Sequence, residues 1–464
     1  MNREQETGLG MSAREKRASI ALSCIFAFRM LGLFMILPVF ALYAGTFQDA
    51  TPTLTGIAIG AYGLTQALFQ IPFGLLSDRY GRKRLITIGL LIFIGGSIVA
   101  AQAESIYGII CGRALQGSGA IAAAIMALAS DLTRDEHRTK TMAMIGMSIG
   151  LSFMVAMIIG PIAGHAIGLS GIFWFAAGLA ALAILILFGL VPTPEHRYFN
   201  RQTETIPRQL LHILSHKELL RLDYGVFVLH LLMTSTFIVI PLLLRDAALP
   251  IKQHWEVYLP ALVLSLFVAL PMIIVGEKKG KSKTVFLCAI AFIALAELGW
   301  YLFHTDLLNI SMLLWVFFSG FNLLEATLPS LISKISPADL KGTALGIYSF
   351  SQFIGAFCGG AIGGWVFSKF GAEGVFLLGG ALAVSWLLVA SGMQNPKSLR
   401  SLAFKVEVLD ARQADLMATS MRKVAGVVEA VVLAEDGMAY LKVDRSALDR
   451  EHLLRLVPEF GKFF

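Results

Sequence analysis

The sequence predicts an all-α membrane protein of twelve transmembrane helices in two six-helix halves, followed by a small α+β cytoplasmic domain. Three observations carry that expectation. Of the 464 residues, 56% are hydrophobic and only 15% charged, whereas roughly a quarter of the residues in soluble domains are charged. Segments of twenty or more mostly apolar residues recur along the chain, each long enough to cross a hydrocarbon core of about 30 Å. After Pro396 the composition turns soluble.

The apolar segments fall at about 18–44, 53–77, 85–103, 105–130, 139–167, 171–192, 221–247, 255–276, 284–303, 306–334, 339–370 and 373–393, numbered here as spans 1 to 12. The first follows a basic tail, as a secretory signal would. It is too long for a signal core and carries Arg29, so it reads as a membrane helix. Twenty-two Lys and Arg residues lie in the N-terminal tail and in alternate loops, and the intervening loops hold only Arg245, Lys252 and Lys369. Positively charged loops stay cytoplasmic, so both termini are expected inside, in the inner (cytoplasmic) membrane of a bacterium. The net charge of +7 therefore reads as topology and not as a nucleic-acid surface. Cys24, Cys111, Cys288 and Cys358 sit far apart in apolar segments, which supports neither a metal ribbon nor a disulfide framework.

The chain repeats itself at an offset of 203. Pro38 maps to Pro241, Gly117 to Gly320, Ser130 to Ser333, Arg138 to Lys341 and Gly160 to Gly363. Residues 1–193 and 221–395 form the halves, the basic stretch 194–220 joins them, and 399–464 is the tail domain. Thr133-x-x-Glu136 and Ser336-x-x-Asp339 read as matching capping boxes at the starts of spans 5 and 11. Parallel repeats place a central site between the halves and permit rocking about it.

Between spans 2 and 3 runs Gly74-Leu75-Leu76-Ser77-Asp78-Arg79-Tyr80-Gly81-Arg82-Lys83. It resembles the GxxxD(R/K)xG(R/K)(R/K) loop, motif A, of the major facilitator superfamily. Arg113-Ala114-Leu115-Gln116-Gly117-Ser118-Gly119 resembles motif B. Gly150 with Gly160-Pro161-Ile162-Ala163-Gly164 resembles the antiporter motif C, although His165 stands where that motif ends in glycine. Glu277-Lys278-Lys279-Gly280-Lys281 looks like an eroded second copy of motif A. The resemblance covers 18–393 and is nearest the drug-efflux members that carry a small domain after span 12. It implies the superfamily fold and alternating-access transport of a small molecule.

In physical terms Asp78 belongs at the cytoplasmic end of span 2, near the start of span 11, where Pro337 suits the first helical position. A carboxylate beside a helix N-terminus gains roughly 0.3–1 kcal/mol. The resemblance implies that this contact latches the cytoplasmic side, with Arg79 and Lys83 in the loop and Asp131 as the partner of Arg82. Gly74 and Gly81 permit close helix approach and a tight turn. Gly150, Gly160, Pro161 and Gly164 read equally as tight packing or as a hinge in span 5.

Ionisable residues inside spans are costly and mark functional candidates. Here they are Arg29, Arg113, Glu297, Glu325 and His230. Glu325 is the first candidate for proton coupling, because an acid in an apolar surround can exchange a proton in a usable pH range. A structural pairing, for instance with Asn322, is its other reading. His230 is the second candidate, against a simple hydrogen-bonded core histidine. Arg113 lies within motif B, and Arg29 and Arg113 together suit an organic anion. Glu297 is expected to snorkel to the outer surface. Phe34, Phe69, Phe237, Phe321 and Tyr348 are the expected cavity lining.

In the tail, 404–408 alternates as a strand and 411–424 reads as a helix with Leu416, Met417 and Val424 inward. Residues 427–433 and 438–443 flank a Glu435-Asp436-Gly437 turn, and 446–456 reads as a second helix capped by Ser446. The order β-α-β-β-α resembles a ferredoxin-like domain. Its lack of cysteine argues against copper and leaves regulation, self-association or a small ligand.

The expected function is proton-coupled efflux of small lipophilic or drug-like molecules by antiport. A proton-coupled importer of a small organic solute, or a membrane sensor signalling through the tail, are the alternatives. An enzyme is disfavoured, since no phosphate loop, metal cluster or nucleophile constellation is present in the sequence. No cofactor is implied; the expected partners are the substrate, protons and the bilayer.

Overall fold

The computed structural model describes residues 10–193, 209–394, 399–406, 410–434, 437–444, 447–449 and 451–453. Among them are ten helices long and apolar enough to cross a membrane. Two of the helices, Asp135–Gly189 and Lys341–Ser391, run for 55 and 51 residues. At 1.5 Å per residue each is about 80 Å of helix, far more than one crossing needs. Both break once, at Gly168 (φ 65°, ψ −178°) and at Gly371 (φ 65°, ψ −163°). That backbone region is essentially closed to residues with a Cβ. Spans 5 and 6 and spans 11 and 12 are thus two crossings each, which makes twelve.

The two kinks are 203 residues apart, so the repeat read from sequence recurs in the backbone. It recurs again in two small grooves on the cytoplasmic half. One is lined by Gln70, Gly74, Ala123 and Ala127, the other by Ile273, Glu277, Ala326 and Ser330. These positions correspond one for one at the same offset.

Several local expectations are corrected. Span 1 begins earlier and ends earlier, at Ala13–Phe34, and the chain resumes as a short helix Phe40–Tyr43 after Pro38. Span 4 is broken into Ile106–Ser118 and Ala122–Leu132, with a carbonyl freed at Gly119. At both predicted capping boxes the hydroxyl turns back into the preceding helix. Thr133 Oγ1 donates back to the Ala129 carbonyl, and the Glu136 side chain lies outside the described residues. Ser336 Oγ turns back to the Ser333 carbonyl. Pro337 lies in a turn, and span 11 starts only at Lys341. The exposed backbone N–H groups are instead satisfied at long range: Arg134 donates to Glu15 Oε1 at 2.8 Å and Ala338 to Glu429 Oε1 at 3.1 Å. A true capping box stands at Ser12 and Glu15, before span 1.

Span 11 is the most closely packed element between the halves. Gly355, Gly359 and Gly363 lie against Phe227, Leu231 and Ser235 of span 7, within its own half. Gly360 and Gly364 lie against Gly56 and Pro52 of span 2, in the other half. In each case a Cβ would collide with the facing residue. A glycine face four residues apart lets helix backbones touch, as small-residue motifs do in membranes.

The tail holds β1 (Leu399–Lys405), a helix (Ala411–Arg422), β2 (Val427–Leu433) and β3 (Met438–Asp444). The sheet is antiparallel in the order β1-β3-β2, with Phe404 opposite Ala439 and Val431 opposite Tyr440. The first strand therefore starts five residues before the predicted 404–408, part of which lies outside the described residues. Ala414, Ala418 and Met421 form the inward stripe, while Leu416 is 60% exposed. Met417 is half-buried and Val424 buried, as expected. Ser446 and residues 435–436 lie outside the described residues. Of the second helix, 451–453 is seen, with Leu453 buried.

A side chain at Gly371 should cost about 1–3 kcal/mol of strain, so Gly371→Val is expected to lower the thermal unfolding midpoint in detergent. Gly150→Ala, which meets open space, should leave that midpoint unchanged in the same assay.

Candidate functional site

Spans 2, 3 and 4 meet at the cytoplasmic end in a carboxylate–guanidinium–carboxylate cluster. Arg82 Nη1 lies 2.5 Å from Asp78 Oδ1 and Arg82 Nε lies 2.6 Å from Asp131 Oδ2. The Arg82 and Asp131 side chains are only 5% and 1% exposed. Gly81, at φ 103°, makes the turn that swings Arg82 back over span 2. The Asp131 partnership expected from sequence is thus present. Asp78 shares a groove with Gly74, Ala123 and, from the start of span 11, Gly346. Lys83 donates to the Val191 carbonyl at 2.6 Å, and Arg17 to that of Gly189 at 2.7 Å. Cations on the last carbonyls of span 6 complement its helix dipole. Arg79 lies over the Tyr80 ring.

A second cluster lies wholly inside the N-terminal half. Arg29 is fully buried and donates to Gln66 Oε1 and the Gly119 carbonyl, both at 2.8 Å. The break in span 4 supplies that carbonyl. Arg113 is 3% exposed; it donates to Gln116 Oε1 at 2.9 Å and reaches the Ala58 and Ile59 carbonyls. Both guanidinium carbons sit over the Tyr62 ring, at 5.8 and 5.3 Å. Among the described residues neither has a carboxylate partner. The structure therefore does not bring Arg29 and Arg113 to Glu325 and His230; it uses them to tie spans 1, 2 and 4 together. The Tyr62 ring meets Phe353 of span 11 edge-on at 6.4 Å.

The third cluster lies within the C-terminal half, beside the point where Phe321 meets Phe153 of the other half. His230 Nε2 is 3.2 Å from Glu325 Oε1 and 2.8 Å from Gln352 Nε2, and His230 Nδ1 is 3.2 Å from the Val226 carbonyl. The Val226 oxygen can only accept, so Nδ1 carries a hydrogen. The Gln352 amide nitrogen can only donate, so Nε2 accepts from it and the imidazole is neutral in this arrangement. Glu325 Oε1 lies 3.2 Å away without a hydrogen-bond partner among the described residues. The Glu325 side chain is 33% exposed and that of His230 15%, while Glu325 Oε1 itself is buried. Asn322, the alternative partner weighed for Glu325, instead donates to Ser265 Oγ at 2.7 Å.

Aromatic rings adjoin this pair. Phe321 lies 6.1 Å from the His230 ring and 6.3 Å from Phe153 of span 5, which in turn contacts Phe34 at 5.2 Å. Phe153, Phe317 and Phe318 were not singled out in the sequence, where phenylalanine is too common to discriminate. Phe237 packs on Phe318 and Tyr258, fully buried within the C-terminal half, and Phe69 is 41% exposed.

Glu297 does not snorkel. It is fully buried, accepts from Thr236 Oγ1 at 2.7 Å and lies against Gly379, where only a hydrogen leaves room for its carboxylate. In span 5, Gly160 packs on Met35 and Pro38 and Gly164 on Val39 and Tyr43, while Gly150 meets nothing. Those two glycines seat the end of span 1, and the backbone break lies beyond them, at Gly168.

The tail docks on the loop between spans 10 and 11. Lys442, 5% exposed, donates to the Lys334 and Ile335 carbonyls at 3.0 and 3.3 Å and pairs with Glu429 at 3.6 Å. It caps the C-terminus of the helix that carries Glu325. Burial pushes the Lys442 ammonium below its ordinary range, and the carboxylates of Glu429 and Asp339 oppose that shift.

Twelve crossings in two parallel repeats, a charged loop at one end of span 2 and a polar pair beside the contact between the halves define a secondary-transporter body. The chain belongs to the Major Facilitator Superfamily, whose family model matches residues 22–277 and 225–427. It is a multi-pass membrane transporter and not an enzyme. Among its relatives is the inner membrane transport protein YajR of Escherichia coli, 46% identical over 440 residues, covering 95% of this chain and 97% of the relative. The multidrug resistance protein MdtH of Aeromonas salmonicida is 24% identical over 366 residues, covering 78% and 91%. The fold matches the crystal structure of a bacterial homolog of the human lysosomal transporter Spinster in an inward-facing, occupied conformation. That match has a TM-score of 0.65 at 15% identity and covers 82% of this chain and 96% of that one.

Two outcomes follow from these clusters. Asp131→Asn removes one of the two carboxylates that hold Arg82 in a buried position, and should cost about 1–3 kcal/mol of stability, read as a lower unfolding midpoint in detergent. Lys442→Met should raise amide hydrogen exchange across 334–340, with the sheet itself still protected.

Proposed function

We propose that this transporter is a proton-coupled exporter that moves small lipophilic or drug-like molecules outward in exchange for protons. The single observation that carries the reading is the Glu325–His230 pair. It is a carboxylate and an imidazole 3.2 Å apart, each partly exposed, in the C-terminal half beside the Phe321–Phe153 contact with the other half. Loading or removing a proton there changes the charge beside that contact, which gives the two access states different energies at different pH. The aromatic wall suits apolar and cationic substrates, the latter through ring quadrupoles. The motif A cluster supports the latch role: Asp78 and Asp131 hold Arg82 against the end of span 2, close to span 11. The export direction rests on the resemblance of span 5 to the antiporter motif and on relatives such as the multidrug resistance protein MdtH.

We further infer that 399–464 is a ferredoxin-like domain. Its β-α-β-β order and β1-β3-β2 sheet support that reading. Its grip on the turn between spans 10 and 11 favours a regulatory role over a passive one.

The test is proton movement in proteoliposomes with an imposed pH gradient, driven by a panel of lipophilic cations and organic anions. Wild type should show substrate-dependent proton counter-movement, and Glu325→Gln should lose it while still binding the same compound. Full coupling in Glu325→Gln would overturn the assignment.

A further inference from the structure

Arg17 and Lys83 of the N-terminal half converge on the end of span 6, and among the described residues neither has an acid to pair with. Arg17 of span 1 donates to the Gly189 carbonyl at 2.7 Å, and Lys83 at the start of span 3 donates to that of Val191 at 2.6 Å. Arg14 adds a contact to the Thr193 carbonyl at 3.1 Å. Arg17 and Lys83 each spend one donor on a carbonyl and keep the others. A helix C-terminus supplies only about half a negative charge, less than these side chains carry. The place is left positive.

In the C-terminal half the chain neutralises the corresponding place itself. Gly189 maps to Gly392 at the repeat offset of 203, and Glu15 maps to Glu218. Arg221 donates to the Gly392 carbonyl at 2.7 Å, as Arg17 does to Gly189, and Glu218 lies 2.5 Å from Arg221. Lys283 donates to the neighbouring Ser391 carbonyl at 2.7 Å. In the N-terminal half the matching acid is turned away. Glu15 accepts from the Ser12 backbone at 2.8 Å, from the Arg134 backbone at 2.8 Å and from the Arg134 guanidinium at 3.0 and 3.1 Å. The repeat keeps the carbonyl seat and its cations and moves the acid elsewhere. An anion from outside the chain fits where Glu218 stands in the other half.

The surroundings define the kind of anion. Arg17 and Lys83 stand at the cytoplasmic ends of membrane helices, at the depth where long cationic side chains reach the headgroups. Just deeper, Ile20 of span 1 and Leu185 and Phe188 of span 6 are exposed. Exposed apolar side chains on a membrane span face acyl chains. A basic pocket between helix ends on the cytoplasmic side suits an anionic headgroup, and the apolar residues beneath it suit the chains that a soluble anion lacks.

We propose that Arg17 and Lys83 seat the phosphate of an anionic phospholipid from the cytoplasmic leaflet, which bridges spans 1 and 3 over the end of span 6. The lipid does for the N-terminal half what Glu218 does for the C-terminal half. It neutralises the cations that cap the last helix, and it fixes that edge of the half to the bilayer.

The test needs no transport substrate. Native mass spectrometry of the full chain in a neutral detergent counts bound lipid as phosphatidylglycerol, phosphatidylcholine or inorganic phosphate is added. Wild type should retain phosphatidylglycerol over phosphatidylcholine. Arg17→Gln combined with Lys83→Gln should weaken that retention roughly 25-fold, about fivefold for each cation at a membrane surface. The charge-keeping pair Arg17→Lys with Lys83→Arg should retain the lipid as wild type does, which separates lost charge from a lost fold. Arg221→Gln with Lys283→Gln, the matching change in the other half, should leave retention unchanged. Equal retention of phosphatidylcholine, or undiminished retention in Arg17→Gln with Lys83→Gln, would overturn the site. An equal loss in Arg221→Gln with Lys283→Gln would mark general surface charge and overturn it too. Displacement of the lipid by inorganic phosphate at equal concentration would mark a soluble-anion site and overturn the lipid assignment.

Discussion

Span 11 touches two neighbours through glycine, and most of the interior arrangement follows from that contact. Gly355, Gly359 and Gly363 bring it against span 7 of its own half, and Gly360 and Gly364 bring it against span 2 of the other. Helices that close leave no room for side chains along the contact. The polar residues of span 11 are therefore displaced to its flanks, where Gln352 meets His230 and Phe353 meets Tyr62. A helix held on both sides by backbone can slide or tilt with little repacking. A helix held by interdigitated side chains would have to break contacts first.

The buried charges divide by what surrounds them. Arg29 and Arg113 are enclosed by carbonyls, amides and the Tyr62 ring, with no carboxylate partner among the described residues. They hold the N-terminal half as one body. Arg82 does the same at the cytoplasmic edge between two acids. Glu325 and His230 differ from these in being partly exposed, 3.2 Å apart and next to the Phe321–Phe153 contact between the halves. An asymmetric arrangement, with a stiff cationic N-terminal half and a titratable site on the other, suits a rocking transporter. The charge that changes is then carried by one half alone.

Much of this was legible in the sequence, for reasons that can be named. Spans, orientation and the 203-residue repeat show because hydropathy and loop charge are strong and local signals. The repeat is confirmed at Gly168 and Gly371, which the sequence reading had passed over as two among many glycines. The Arg82–Asp131 pair came through the motif resemblance. Other features depend on distant partners and left no local trace. Near the predicted capping boxes at Thr133 and Ser336, Glu15 and Glu429 supply acceptors for the Arg134 and Ala338 backbone N–H groups from 119 and 91 residues away. Glu297 was placed by depth, and its partner Thr236 lies on another span. Leu416 was assigned inward by hydrophobicity, whereas the helix turns its small Ala414 and Ala418 toward the sheet.

The central claim is that the proton on the Glu325–His230 pair sets which side of the transporter is open. The most direct measurement is the pH dependence of the distance between spin labels at Arg84→Cys and Lys279→Cys, which lie on the cytoplasmic surfaces of the two halves, in a background free of native cysteines. The account predicts a distance distribution that shifts between acidic and alkaline pH in wild type and stays fixed in Glu325→Gln. An equal shift in Glu325→Gln would contradict it.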